Sequence, residues 1–129
     1  MSEALTQLLA KQEIQEVVIR YARAIDRLDE ALLQSVFHPG SIHNHFYEGP
    51  SSDPERAGTD EDPGDFVRFA MMVLNTYTRT HHQLGNALVE LTGDTTALVE
   101  TTSPPSTGCV LRMTHWRVPT PLIPRWIFS

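Results

Sequence analysis

The chain contains six histidines, and histidine side chains can bind a metal ion. His43 and His45 are two residues apart, so they share one face of a predicted strand, and His82 would supply a third nitrogen ligand to a zinc ion. No carboxylate or cysteine completes a recognisable ligand spacing around them. Because such pairs are also common in strands that bind no metal, we predict no metal site.

The cysteine and the glycines offer no stronger alternative. Cys109 has no neighbouring base in the sequence to activate its thiol. No glycine-rich loop has the spacing that cradles a phosphate. We therefore expect neither a thiol nucleophile nor a nucleotide site, and no bound cofactor.

Asp26 and His82 are the residues best suited to general acid–base chemistry. Histidine titrates near neutral pH and is the commonest general base. Asp26 lies at the margin of the apolar stripe of a predicted helix, which places it at the rim of a pocket. His82 alternates with Leu84 and Leu88 in a predicted strand, so it points into an apolar interior if that face is the concave one. The structural alternatives are a solvated acid at a helix end and a histidine that only packs.

Two helices are predicted in the first part of the chain. A long helix over residues 3–27 has an apolar stripe opposite its charged side, and Ser2 is placed to cap its start. A short second helix starts after Asp29 and ends at residues 38–40, where proline and glycine stop it. The stripe of the first helix consists of Ile14, Val17, Val18, Tyr21, Ala22 and Ile25.

A third helix is predicted after a long loop. Residues 48–63 are rich in Gly, Pro, Ser and Asp, as is typical of a surface loop long enough to cover a pocket. Asp62 then caps the helix and Pro63 occupies its first position. The residues predicted to face inward from it are Phe66, Val67, Phe69, Ala70, Val73, Leu74 and Tyr77.

The predicted strands lie between and after these helices. Residues 41–47 form a first strand, and residues 80–91 and 95–102 form a hairpin with its turn at residues 92–94. Beyond it, residues 103–129 contain five of the nine prolines and both tryptophans. Because proline cannot donate a sheet hydrogen bond, we predict at most one strand there, within residues 109–118.

Composition narrows the class of protein. The chain has 129 residues, of which 40% are hydrophobic and 20% charged, as expected for one globular domain over residues 1–129. A net charge of −6 with scattered Lys and Arg argues against a nucleic-acid partner. No apolar run approaches the ~20 residues that span a bilayer, and the start of the chain does not resemble a signal peptide. With a single cysteine, we expect a reducing cytoplasmic location.

Three segments of the chain are residues 21–29 (YARAIDRLD), 37–39 (FHP) and 80–86 (THHQLGN). In this order they resemble the end of the first helix, the turn into the first strand and the start of the central strand of the SnoaL-like superfamily, which includes scytalone dehydratase and nuclear transport factor two. The resemblance covers residues 8–102. It implies an α+β fold in which a bent antiparallel sheet wraps the long helix as a cone, with an apolar pocket at one end.

The resemblance also implies roles for individual residues. In dehydratases of this superfamily a histidine on the central strand is the general base and pairs with an aspartate late in the first helix, and these positions match His82 and Asp26. Tyr21 matches a tyrosine that bile-acid dehydratases of the group use five residues before the aspartate. We assign Asn86, Tyr47 and Phe69 to contact with substrate.

Two functions follow from these expectations. The first is a cofactor-independent lyase or isomerase of the dehydratase type, acting on a small hydrophobic ring compound. A histidine base, a carboxylate to orient it and a tyrosine donor for the developing oxyanion are what the elimination of water next to a carbonyl requires. The second is a non-catalytic small-molecule-binding or dimerising domain, or an inactive variant.

The last 27 residues depart from the family pattern. Members continue with long strands, whereas residues 103–129 match none of these and resemble a divergent or out-of-frame ending. An incomplete sheet with exposed apolar side chains predicts self-association into a homo-oligomer. This departure favours the second function, while the presence of both Asp26 and His82 favours the first.

Overall fold

The computed structural model describes residues 2–39, 41, 43–44, 60–102 and 110–113. These residues form helices and antiparallel strands, as expected for the predicted α+β class. The elements, in chain order, are α1 (Glu3–Asp26), α2 (Glu30–Ser35), β1 (His43–Asn44), β2 (Asp60–Glu61), α3 (Pro63–Leu74), β3 (Ala87–Leu91), β4 (Ala97–Thr102) and β5 (Val110–Met113).

The three helix starts predicted from the sequence are confirmed. The side chains of Ser2, Asp29 and Asp62 each accept a hydrogen bond from a backbone N–H in the first turn of the helix that follows. These N–H groups have no partner within the helix, so the caps satisfy donors that would otherwise lack one. Pro63 occupies the first turn of α3, where its missing N–H costs no hydrogen bond.

The chain leaves α1 through a residue in the left-handed conformation. Leu28 has a φ of 53°. The N–H of Asp29 donates to the carbonyl of Ala24 at 2.9 Å, and the N–H of Leu28 donates to the carbonyl of Ile25 at 3.2 Å. This pair of bonds is the Schellman arrangement, in which glycine usually occupies the left-handed position. The link ends α1 directly after Asp26, and Asp29 then caps α2.

A three-stranded antiparallel sheet packs against α1. Its strand order is β3-β4-β5, with Val89 of β3 and Met113 of β5 both opposite Val99 of β4. The turn between β3 and β4 closes with a hydrogen bond from the Thr92 N–H to the Thr96 carbonyl at 2.9 Å. Strands β1 and β2 form a separate antiparallel pair.

The core lies between α1 on one side and α2, α3 and the sheet on the other. An aromatic cluster joins its helical part: the ring centroids of Tyr21, Phe37 and Phe66 are 5.8–6.4 Å apart. Edge-to-face and stacked rings at these separations add to the free energy gained from burial alone. The other buried hydrophobic residues of the core are Ile14, Val17, Val18, Ala24, Ile25, Leu33, Val36, Val67, Ala70, Val89, Ala97 and Val99.

The predicted strand at residues 80–91 is wrong in its start, and the face that carries Leu88 is not the buried one. β3 begins only at Ala87, and residues 80–86 have no regular structure. Leu88, which would face inward only if its face were the concave one, is 60% exposed, whereas Val89 is 5% exposed. Alternation shows which residues share a face but not which face is buried, and α1 covers the face that carries Val89.

The predicted inward face of α3 is also too wide. Phe69 is 45% exposed, because it lies about 60° beyond Phe66, outside the arc of the helix that Phe66, Val67 and Ala70 occupy. Tyr77 is exposed and follows the end of the helix at Leu74. The inward side is narrower than predicted and includes Phe66, Val67 and Ala70.

Several other predictions concern segments that are described only in part. Strand β1 falls inside the predicted strand 41–47, and β5 falls inside the predicted segment 109–118. Strand β2 occupies part of the predicted loop 48–63, which is therefore not loop throughout. Tyr47 and most of residues 103–129 lie outside the described residues. Within the described parts of the chain, none of the helices has the length and apolar character needed to cross a bilayer.

Candidate active site

Asp26 and His82 meet where the end of α1 contacts the segment that leads into β3. The distance between Asp26 Oδ1 and His82 Nδ1 is 2.7 Å, and the backbone N–H of His82 donates to Asp26 Oδ2 at 2.8 Å. One carboxylate therefore binds both the main chain and the ring of a residue 56 positions away. The hydrogen bond expected between these side chains is present.

The contact determines which ring nitrogen is available for chemistry. An ionised carboxylate only accepts hydrogen bonds, so Nδ1 of His82 carries the hydrogen and donates it to Asp26. This assignment of the tautomer leaves Nε2 as the unprotonated nitrogen of the neutral ring. The side chains of Asp26 and His82 are 20% and 31% exposed, so both are mostly shielded from water yet remain reachable.

Opposing influences act on the ionisation of Asp26. Partial burial raises its pKa, but hydrogen bonds from the His82 backbone, the His82 ring and the Thr80 side chain, together with the charge on His82, lower it by more. The pKa of Asp26 is thus held below its ordinary value of 3.8. The carboxylate is ionised at neutral pH, as the assignment of the His82 tautomer requires.

Tyr21 belongs to the aromatic cluster of the core. Its ring is stacked on Phe66, with an interplanar angle of 9°, and meets Phe37 edge-on. The residue is 7% exposed. Packing accounts for its ring, and the assignment of its hydroxyl to an oxyanion stays a prediction.

The structure does not bring all the predicted site residues together. Asn86 is exposed and precedes β3, so the shared strand face that linked it to His82 is absent. Phe69 lies on the exposed side of α3, which removes the reason for placing it in a pocket wall. The predicted contact of Tyr47 lies outside the described residues. His81 is exposed, as expected for the neighbour of His82.

The metal hypothesis gains no support from the described residues. Among them, no three histidine, cysteine or acidic side chains lie close enough together to hold an ion. His45 lies outside this part of the chain, so the set of three histidines is not tested as a whole.

Sequence reasoning missed several residues around Asp26. Thr80 donates a side-chain hydrogen bond to its carboxylate, and the only available signal was its position two residues before His82. Arg23 and Arg27 were interpreted as the charged side of the first helix. Arg23, Arg27 and Arg79 line an open depression, and Asp26 lines it as well.

Comparison with known proteins identifies related folds. A family model of the SnoaL-like domain matches residues 6–103. A scytalone dehydratase candidate from Novosphingobium aromaticivorans is similar in structure, with a TM-score of 0.63 and 15% identity over 97% of this chain and 83% of that one. A dehydratase candidate of the NTF2-like family from Streptomyces avermitilis has a TM-score of 0.60 and 17% identity over 91% and 90%. At 15% and 17% sequence identity, these two structures are similar to this chain in fold alone. A search of curated proteins finds no match.

Proposed function

The chain belongs to the SnoaL-like domain family, and from this premise we propose that it is a cofactor-independent lyase or isomerase of the dehydratase type acting on a small hydrophobic ring compound. The observation that carries the proposal is the double hydrogen bond between Asp26 and His82. The dehydratase candidates that share its fold support the reaction class.

The proposed reaction is elimination of water next to a ring carbonyl. Nε2 of His82 removes a proton from the carbon beside the carbonyl, and the electron pair of that C–H bond forms an enolate. As the enolate collapses to the conjugated ketone, the C–O bond at the neighbouring carbon breaks. The departing hydroxyl takes a proton from the imidazolium and leaves as water. Asp26 stabilises the imidazolium between these steps and keeps the ring in the reactive tautomer.

A non-catalytic ligand-binding domain is the second candidate, and one observation favours it. Residues 80–86 have no strand pairing, and the two bonds to Asp26 fasten this segment to α1. A polar contact that holds a segment in place needs no catalytic role. In the first candidate His82 is a general base, whereas in the second it only holds residues 80–86 against α1.

Turnover of cyclic β-hydroxy ketones, followed by the ultraviolet absorbance of the conjugated product, separates the candidates. His82→Gln should lower kcat by about 10²–10⁴-fold, the usual contribution of a general acid–base group, with little change in KM. His81→Gln is the matched control, since His81 is the exposed neighbour, and it should retain wild-type kcat. Full turnover in His82→Gln would reject the mechanism. Binding of these ketones without turnover by the wild type would support the second candidate.

A further inference from the structure

Three arginines surround an open depression of about 540 Å³ on one side of Asp26. Arg23 and Arg27 come from the end of α1, and Arg79 comes from the segment that leads to the site. Ile19 supplies an apolar part of the wall. The depression therefore combines a basic rim, drawn from separate parts of the chain, with a small apolar surface.

The positive charge of this depression is unusual for the chain. The protein has ten Lys and Arg and a net charge of −6, yet three of the ten line this one depression. None of the three forms an ion pair with a carboxylate in the described part of the chain, whereas Arg20 pairs with Glu16 at 2.9 Å. Both oxygens of Asp26 are bound by His82. Three arginines thus line the same depression as a single carboxylate, Asp26, whose oxygens are already hydrogen-bonded to His82.

Stabilisation of the helix end explains only part of this arrangement. Basic side chains at the end of a helix interact favourably with the partial negative charge there, which accounts for Arg23 in the last turn and Arg27 at the C-cap. Arg79 is not on that helix, and nothing in the described residues neutralises it. A ligand that brings negative charge to all three residues would account for the whole set.

We propose that this depression binds a small organic oxyanion, a molecule with a phosphate or carboxylate group next to a short apolar part. The planar guanidinium group of arginine offers paired N–H donors that match the oxygens of both groups. Ile19 lies where the apolar part of the ligand would pack. Asp26 borders the depression but His82 does not line it, and the binding proposed there does not depend on the proposed function.

Binding is tested with inorganic phosphate and, in a second arm, with acetate, each at constant ionic strength balanced by chloride. The readout is the saturable shift of backbone amide resonances at residues 78–81. Arg79→Gln should weaken phosphate binding roughly fivefold or more, through loss of charge-assisted hydrogen bonds. Arg20→Gln is the control, because Arg20 is also an exposed arginine, on the helix of Arg23, but it is paired with Glu16 and does not line the depression.

Two outcomes would overturn the proposal. One is a response to phosphate and acetate no larger than the response to chloride, as expected of solvated surface arginines. The other is an Arg79→Gln variant that binds phosphate as tightly as Arg20→Gln does. Circular dichroism of each variant verifies folding, which exposed arginines should not affect. This assay measures the binding of an anion and not the turnover of a ketone. A failure of the anion-binding proposal can therefore be distinguished from a failure of the proposed enzyme function.

Discussion

The carboxylate of Asp26 accepts two hydrogen bonds from different parts of His82, and each of them has its own effect. The bond to the His82 main chain sets where that residue lies, and the bond to the ring sets which nitrogen holds the hydrogen. An amide in place of the carboxylate retains an oxygen for the main-chain bond. Its N–H₂ group then donates to Nδ1, so the hydrogen moves to Nε2 and the base is lost.

Asp26→Asn should therefore lower kcat nearly as far as His82→Gln while leaving KM close to that of the wild type. It should also lower the free energy of unfolding by about 0.5–2 kcal/mol, because hydrogen bonds to a charged carboxylate are replaced by weaker bonds to a neutral amide. Steady-state kinetics and urea unfolding measure these effects.

The double variant with Asp26→Asn and His82→Gln should be scarcely slower than either single variant, because the residues act as a unit. Multiplicative losses in kcat would show that they act separately.

Acid should remove the stability that ionised Asp26 provides. Its pKa is lower in the folded protein than the ordinary value of 3.8, so the unfolded chain binds a proton more readily. The stabilisation is present above that ordinary value and is lost as pH falls through the lower, folded value. Urea unfolding from about pH 5 to pH 3 should show the difference between wild type and Asp26→Asn shrinking towards acid. A difference that stays constant over this range would contradict the lowered pKa of Asp26 in the folded protein.

At the scale of elements, the link between α1 and α2 fixes where Asp26 stands. Leu28 adopts a left-handed conformation that costs a residue with a Cβ about 1–2 kcal/mol. The hydrogen bonds from Leu28 and Asp29 hold it there in spite of this cost. The geometry of the site thus depends on a strained turn two residues beyond the carboxylate.

Leu28→Gly should be more stable than Leu28→Ala by about 1 kcal/mol. Both variants lack the leucine side chain, which is already 40% exposed, so the comparison isolates the cost of a Cβ at this φ. Thermal or urea unfolding of the pair measures it. Equal stabilities would mean that the turn relaxes to another conformation when leucine is removed.

Local chemistry explains which parts of the fold the sequence predicted correctly. Helix starts depend on a few adjacent residues, and Ser2, Asp29 and Asp62 were found for that reason. The buried face of the hairpin depends on what packs against it, so alternation alone left open whether the face of Leu88 or that of Val89 is buried. The contact of Asp26 with His82 joins distant segments, and it was expected only because residues 21–29 and 80–86 resemble a known family.

Across the whole molecule, α1 connects the two parts of the core. It contacts α2, α3 and β3, and Tyr21 of α1 joins the aromatic cluster with Phe37 and Phe66. Asp26 lies at the end of this helix, where the segment from α3 returns towards the sheet. The candidate site therefore depends on the packing of both parts of the core against α1.

The main-chain bond of His82 has a consequence for exchange with heavy water. Amides in segments without secondary structure usually exchange quickly, but that of His82 is held by a carboxylate on another element. It should exchange much more slowly than the amides of His81 and Gln83, which have no such partner in the described part of the chain. Since release requires α1 and residues 80–86 to separate, this single amide reports how often the candidate site comes apart. Nuclear magnetic resonance of the wild type would measure its rate, and equally fast exchange at all three amides would show that the contact is short-lived.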